Sequence, residues 1–194
     1  MNPSHAMRTL PEQDRPPEKL AHLVFKSRDK KAMMDWYATV LLARTVFDNH
    51  FIGFLSFDDE HHRVAVIEIP SLSGPAPAAS GLHHVAFTYS SLGDLLRTFV
   101  RLRDAGIMPH HSLNHGPTTS IYYTDPDGNR VELQIDNFAD MEEATAWLSS
   151  PEFEENPIGA NFEPEALLSR YLAGEPEADL KRRPNVGPRS APSR

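Results

Sequence analysis

The 194-residue chain contains no cysteine. Disulfides, thiolate nucleophiles and Cys-ligated zinc are therefore excluded, and a cytoplasmic protein is the simplest expectation. No apolar run approaches the roughly 20 residues that span a bilayer. The first residues also lack the apolar stretch of a signal peptide, so no membrane partner is expected. Basic charge is scarce: 19 Lys and Arg stand against 27 Asp and Glu, a net of -8. Such a chain has no general attraction for phosphate backbones, and nucleic acid is not expected as a partner either. The Lys181-Arg182-Arg183 cluster, beside Pro and Gly, reads as a solvated tail. What the sequence does have is histidine. There are ten, none beyond His115, and six of them form the adjacent pairs His61-His62, His83-His84 and His110-His111. Imidazole is the commonest metal-ligating side chain and titrates near neutrality, so these residues carry the functional reading.

Proline outlines the organisation. Of 17 prolines, four lie in residues 1–19 and four in residues 174–194. Both ends are polar and charged, a composition that buries too little apolar area to offset ordering entropy. They are expected to be a flexible N-terminal arm and a flexible tail, mobile or draped on a partner surface. Between them lies an internal repeat. Leu20-Ala-His-Leu-Val-Phe25 aligns with Leu82-His-His-Val-Ala-Phe87, each a short strand. After Ser27, Met33, Trp36, Tyr37, Val40 and Leu41 fall at helical spacing; after Ser91, Leu92, Leu95, Leu96, Phe99 and Val100 do the same. Ser91 and Asp94 form a capping pattern, and Gly106 closes that helix. Each half ends in a hairpin, 51–57 into 63–69 and 119–124 into 130–135, the second turning at Asp125-Pro-Asp-Gly128. Weak strands at 44–47 and 107–112 complete a β-α-β-β-β order in each copy. The expected fold is α+β: paired βαβββ modules, 20–69 and 82–137, joined by a linker at 70–81 and forming a partly closed, curved mixed sheet around a metal site. Two further helices, at 141–149 and 164–173, belong to a C-terminal extension over 138–173. The arms and the open sheet edges suggest a homo-oligomer.

The repeat sorts the histidines. His22 and His84 occupy matching places on matching strands, and packing of the two copies about a pseudo-twofold would bring those strands together. Glu132 lies between Val131 and Leu133 on the last strand of the second copy, where a carboxylate is costly unless paired or bound to a cation. Singly, each histidine is compatible with a satisfied core residue and Glu132 with a solvent-facing one; together they suggest a metal set. Two imidazoles and one carboxylate leave half a coordination sphere open, as non-haem Fe(II) oxygenases require. In the first copy Arg63-Val64 aligns with Arg130-Val131, so Ala65 stands where the second copy has Glu132. Glu68 is three residues further on and points to the other face.

The run His115-Gly-Pro-Thr-Thr-Ser-Ile-Tyr-Tyr-Thr-Asp-Pro-Asp-Gly-Asn-Arg-Val-Glu132 resembles the signature of type I extradiol ring-cleavage dioxygenases in the vicinal-oxygen-chelate superfamily: a His, an aliphatic-Tyr pair, an acidic-Pro-x-Gly turn and a terminal Glu. Leu113 departs from the smaller or β-branched residues usual at its place. The resemblance covers 20–137 and extends to Asn156-Pro-Ile-Gly159 and Ala173-Gly-Glu175, which look like the C-terminal segment of small single-domain enzymes acting on biphenyl-2,3-diol-like catechols. It implies His22, His84 and Glu132 as ligands of Fe(II), with Mn(II) as the alternative ion. It implies His62 beside the oxygen site, with His61 competing for that place if the hairpin end carries a bulge. It implies His115 and Tyr122 on the substrate, a catechol cleaved by O2 outside the diol. The alignment with His22 favours His84 over His83, which the pleat sends to the opposite face in a packing or hydrogen-bonding role; His110, His111 and His50 are left as structural or surface groups, and Tyr123 as core. Two alternatives share the scaffold: a metal-dependent lyase or isomerase of the glyoxalase type, which usually needs a fourth ligand that Ala65 does not supply, and a ligand-binding resistance protein without turnover.

Overall fold

The computed structural model describes residues 13–74 and 80–190. The expected N-terminal arm and inter-module linker fall partly on 1–12 and 75–79, outside the described residues. Two βαβββ modules follow one another. The first comprises β1 (Leu23–Ser27), α1 (Lys30–Leu41), β2 (Arg44–Asp48), β3 (Ile52–Ser56) and β4 (Val64–Glu68). The second comprises β5 (Val85–Thr88), α2 (Leu92–Asp104), β6 (His111–Asn114), β7 (Thr118–Thr124) and β8 (Arg130–Asp136). Within the chain each module keeps its own mixed sheet, ordered β1-β4-β3-β2 and β5-β8-β7-β6-β9, where β9 is Ala160–Asn161. The only parallel pairs among the described strands are β1 with β4 and β5 with β8.

Apolar periodicity decides which sheet face each helix covers. Met33, Met34, Tyr37 and Val40 of α1 are buried with Phe25, Leu55, Val64 and Val66, and Leu92, Leu95, Leu96, Phe99 and Leu102 of α2 with Ile121, Tyr123, Val131, Leu133 and Ile135. Each such side chain contributes roughly 1.5–3 kcal/mol by leaving water. The N-cap of α1 is Asp29, which accepts from Ala32 N at 2.9 Å, while Ser27 Oγ accepts from Asp29 N. The cap of α2 is Ser91, as expected, and Gly106 follows the helix end with φ +77°.

The modules meet on their helical sides. The Arg101 guanidinium of α2 donates to the carbonyls of Thr39 and Val40, two of the last-turn carbonyls that α1 cannot satisfy itself. The Tyr37 hydroxyl of α1 donates to the Asp125 carboxylate at 3.1 Å. Asp125 also accepts from the backbone of Asp127 and Asn129 and from the Asn129 amide, so this turn residue ties the modules together. Burial raises its pKa above the ordinary carboxylate range.

After the second module come α3 (Met141–Trp147), α4 (Pro151–Glu155), α5 (Pro164–Leu172) and α6 (Glu177–Lys181). Part of the expected flexible tail thus has partners in the fold, and 191–194 lie outside the described residues. Leu180 is buried, and Arg183 donates to the carbonyls of Asn156 and Glu152 while its guanidinium lies 4.5 Å from the Trp147 ring. Arg189 donates to the Gly159 carbonyl. One apolar side chain and two arginines hold the segment, which composition alone underrates. No helix among the described residues is long and apolar enough to cross a membrane.

Helix α1 ends at Leu42 in the left-handed region, φ 53° and ψ 34°, with the side chain exposed. A β-carbon is disfavoured there, and little apolar burial offsets it. Leu42→Gly is expected to raise unfolding stability by about 0.5–1 kcal/mol, seen as a higher denaturation midpoint at unchanged m value.

Candidate active site

On the second sheet, pairing places Ala86 opposite Glu132, Tyr122 opposite Glu132 and His111 opposite Tyr122, so one face carries these residues together. This is the face opposite α2. His84 alternates with Val85 onto it, and its Nε2 lies 2.9 Å from Glu132 Oε2. Glu132 is only 4% exposed. A continuous donor chain approaches it. Arg130 Nη1 donates to His83 Nε2 at 2.9 Å, His83 Nδ1 and His84 Nδ1 are 2.7 Å apart, and His84 Nε2 faces the carboxylate. His83, expected from sequence in a packing or hydrogen-bonding role, thus orients His84.

His115 continues the strand onto the same face. Its Nδ1 is 2.6 Å from the Ile158 carbonyl oxygen, and its Nε2 is 2.8 Å from the Tyr122 hydroxyl. A carbonyl can only accept, so Nδ1 carries the proton. Burial holds His115 below the ordinary imidazole range, which keeps it neutral near pH 7 with Nε2 free to accept from Tyr122. Burial, reinforced by the nearby Glu132 charge, raises the Tyr122 pKa and keeps its hydroxyl protonated.

Two elements of this arrangement escaped the sequence reading. His111 stacks on Tyr122, ring centroids 4.2 Å apart and 10° from parallel, and burial lowers its pKa to about 4. The Ile158 carbonyl is aimed by the Asn156-Pro-Ile-Gly159 turn. There the buried Asn156 side chain accepts from Ile158 N and Gly159 N and donates to the Gly159 carbonyl. Gly159 has φ +115°, and a β-carbon there would lie 2.4 Å from the Asn114 carbonyl oxygen. The Asn-Pro-x-Gly pattern was visible as a turn, but its target was not.

The first sheet repeats the geometry with one difference. Val24 pairs with Ala65 as Ala86 pairs with Glu132, so Ala65 occupies the place equivalent to the carboxylate. His22 alternates onto the face opposite α1. Its ring lies 4.4 Å from that of His62 and 6.4 Å from that of His61, and His62 stacks on Phe54 at 4.4 Å. Of the two hairpin histidines, His62 is therefore the one nearer His22.

The six expected site residues thus form two groups: His84, Glu132, His115 and Tyr122 on the second sheet, His22 and His62 on the first. The donor types suit a non-haem iron, but among the described residues no group of three or more His, Cys, Asp or Glu side chains is placed to hold one ion. The chain brings His84 and Glu132 together, and sets His22 on the first sheet beside His62.

Comparison with known proteins assigns the family. Residues 19–133 match the model of the Glyoxalase/Bleomycin resistance protein/Dioxygenase superfamily, and the chain belongs to it. It is 48% identical over 159 residues to biphenyl-2,3-diol 1,2-dioxygenase 2 of Rhodococcus globerulus, covering 81% of this chain and 84% of that one. It is also 48% identical to biphenyl-2,3-diol 1,2-dioxygenase 3 of the same organism, covering 85% and 88%. A glyoxalase/dioxygenase of Nostoc punctiforme has the same fold, with a TM-score of 0.54 at 18% identity over 66% of this chain and 99% of that one.

Two outcomes follow from this geometry. Asn156→Ala is expected to release the Ile158 carbonyl and mix the His115 tautomers, visible in imidazole nitrogen NMR, with a loss of about 1–3 kcal/mol of stability. His111 has its pKa lowered from 6.5 to about 4. Between those values the unfolded chain binds a proton that the native protein does not. The metal-free protein should be most stable above pH 6.5 and lose stability as pH falls towards 4. His111→Phe, which keeps the stack, should flatten that slope in denaturation series across pH.

Proposed function

We propose that the protein is an Fe(II)-dependent extradiol dioxygenase, cleaving a catecholic aromatic ring beside its diol with O2. The observation that supports this most directly is the His84–Glu132 pair sharing a sheet face with the His115–Tyr122 pair. The 48% identity to two biphenyl-2,3-diol dioxygenases over most of the chain points to the same chemistry. It also favours a biphenyl-2,3-diol-like catechol as the substrate class.

His22, His84 and Glu132 are the proposed ligands. A ferrous ion bound by three protein groups would supply adjacent open positions where diol and O2 meet, converting a three-body encounter into a near-unimolecular one. The protein's own part is proton handling. His115 is neutral, its tautomer set by Ile158, and its Nε2 accepts a proton passed from the diol hydroxyl through Tyr122. Tyr122 keeps its own proton otherwise and donates to the substrate oxygen. His62 is proposed to stabilise negative charge on the oxygen side. The carbon–carbon bond next to the diol breaks, and both atoms of O2 end in a 2-hydroxymuconic semialdehyde type of acid.

Ala65, in the place equivalent to Glu132, favours this reading over a glyoxalase-type lyase, since the first module offers no matching carboxylate. Anaerobically Fe(II)-loaded protein should consume O2 and form a yellow product with 2,3-dihydroxybiphenyl. Chelation should abolish both, and Fe(II) should restore them. Absence of oxygen uptake across a panel of catechols would overturn the proposal. His115→Asn should lower kcat/KM by about 10²–10³-fold while anaerobic diol binding persists. The acid limb of the wild-type kcat/KM profile should lie below pH 6.5, since burial depresses the His115 pKa from that value.

A further inference from the structure

We propose that Leu113 is a positioning residue that decides which ring substituents a substrate can carry beside its diol, by holding the His115–Tyr122 pair off the sheet. The inference rests on the proposed contact of that pair with a catechol. Leu113 is also the position where the sequence departs from the signature that it otherwise follows.

Strand register places this side chain. On β6 it alternates with Ser112 and Asn114, so it shares the site face with His111 and His115, and it pairs with Ser120 of β7. Leu113 is only 9% exposed, yet it takes no part in the core under α2, where Ile121, Tyr123 and Leu133 pack. The face around it is polar. Ser120 pairs with Gln134 in the same row, and Thr118 with Asp136 in the row beyond. Ala86, the other aliphatic side chain on this face of β5–β8, is exposed. A buried leucine on an otherwise polar face fills space beneath something.

What lies above it follows from the strands. His115 N donates to the Thr118 carbonyl, so His115 stands level with Thr118, four residues along β7 from Tyr122. At about 3.3 Å per residue their backbones are roughly 13 Å apart along the strand. The His115 Nε2 and the Tyr122 hydroxyl are nevertheless 2.8 Å apart. Both side chains therefore lean along the sheet towards each other, over the row of Leu113 and Ser120. Sideways movement is blocked, since the Ile158 carbonyl holds the far side of His115 and the His111 ring lies flat against Tyr122. Movement towards the sheet is limited by what is underneath. Serine is small, so Leu113 supplies the bulk. A shorter side chain lets the pair settle, and the space gained opens beside the hydroxyl that the pair binds. A group on the ring carbon next to that hydroxyl enters this space; a group one carbon further round does not.

The test compares substrates on one enzyme, so that differences in folded or iron-loaded fraction cancel. Fe(II)-loaded wild type, Leu113→Ala and Leu113→Val are assayed by O2 uptake with catechol, 3-methylcatechol, 2,3-dihydroxybiphenyl and 4-methylcatechol. In Leu113→Ala, kcat/KM for the two 3-substituted diols relative to catechol should rise about tenfold over the wild-type ratio, while the 4-methylcatechol ratio stays within about twofold. Leu113→Val, the milder change, should move the same ratios in the same direction by less. Ratios unmoved in both variants, or rising equally for 3- and 4-substituted diols, would overturn the proposal alone. A wild-type protein that consumes no O2 with any of these diols would overturn the dioxygenase reading, and this proposal with it.

Proton NMR of the metal-free protein gives a reading independent of turnover. The His111 ring protons, shifted by the Tyr122 ring against which they stack, should move in Leu113→Ala. They should stay in place in Leu172→Ala, a change at an exposed position on α5. Resonances unmoved by Leu113→Ala would show that the pair does not settle, and the proposal would fall.

Discussion

A carboxylate inside a strand must be compensated, and Glu132 sets the terms for the rest of the molecule. It stands between Val131 and Leu133, both fully buried, and is itself 4% exposed. Removing such a charge from water costs several kcal/mol unless hydrogen bonds and a cation or proton donor replace the solvent. The sheet register supplies the means: parallel pairing with β5 brings His84 to the carboxylate, and antiparallel pairing with β7 sets Tyr122 opposite it. Changing the register of β8 by one residue would turn Glu132 into the apolar layer under α2 and Leu133 onto the site face. The fold and the site are therefore specified by the same alternation.

The second constraint is how the modules are held. Arg101 closes the C-terminal carbonyls of α1, and Asp125 gathers its own turn and the Tyr37 hydroxyl at one buried point. Both contacts engage the helical sides of the modules, so the uncovered sheet faces stay available. Symmetry between the modules explains why His22 and His84 match.

Much of this was legible in the residues, and what was not has identifiable reasons. The period-3.6 patterns of α1 and α2 and the hairpin ending at Glu132 follow from apolar spacing and turn chemistry, so the modules were readable, and the absence of a carboxylate at Ala65 was readable from the repeat. The convergence of His22 with His84 was an inference from symmetry. Symmetry relates the modules without fixing how they pack, which depends on side-chain contacts such as Tyr37–Asp125, 88 residues apart. The ordered tail was missed because composition averages over it: Leu180 and two arginines anchor a stretch otherwise polar and rich in proline. His111 was passed over because its function lies in a ring stack across the β6–β7 pair, which spacing along one strand does not reveal.

The C-terminal segment shows how residues beyond the shared family core, which ends at 133, enter the chemistry without touching substrate. Neutral imidazole has two tautomers of similar energy, and a hydrogen bond to a fixed acceptor chooses between them. Here the acceptor is a backbone carbonyl, whose position depends on a turn that only glycine can complete at 159 and only a side chain with both donor and acceptor atoms can brace from 156. Arg183 and Arg189 then bind the carbonyls at the two ends of that turn, those of Asn156 and Gly159. The tail beyond the last helix thus acts through these two contacts on the turn that fixes a single proton of His115. The protonation state of the site face is set from a part of the chain that the repeat does not contain.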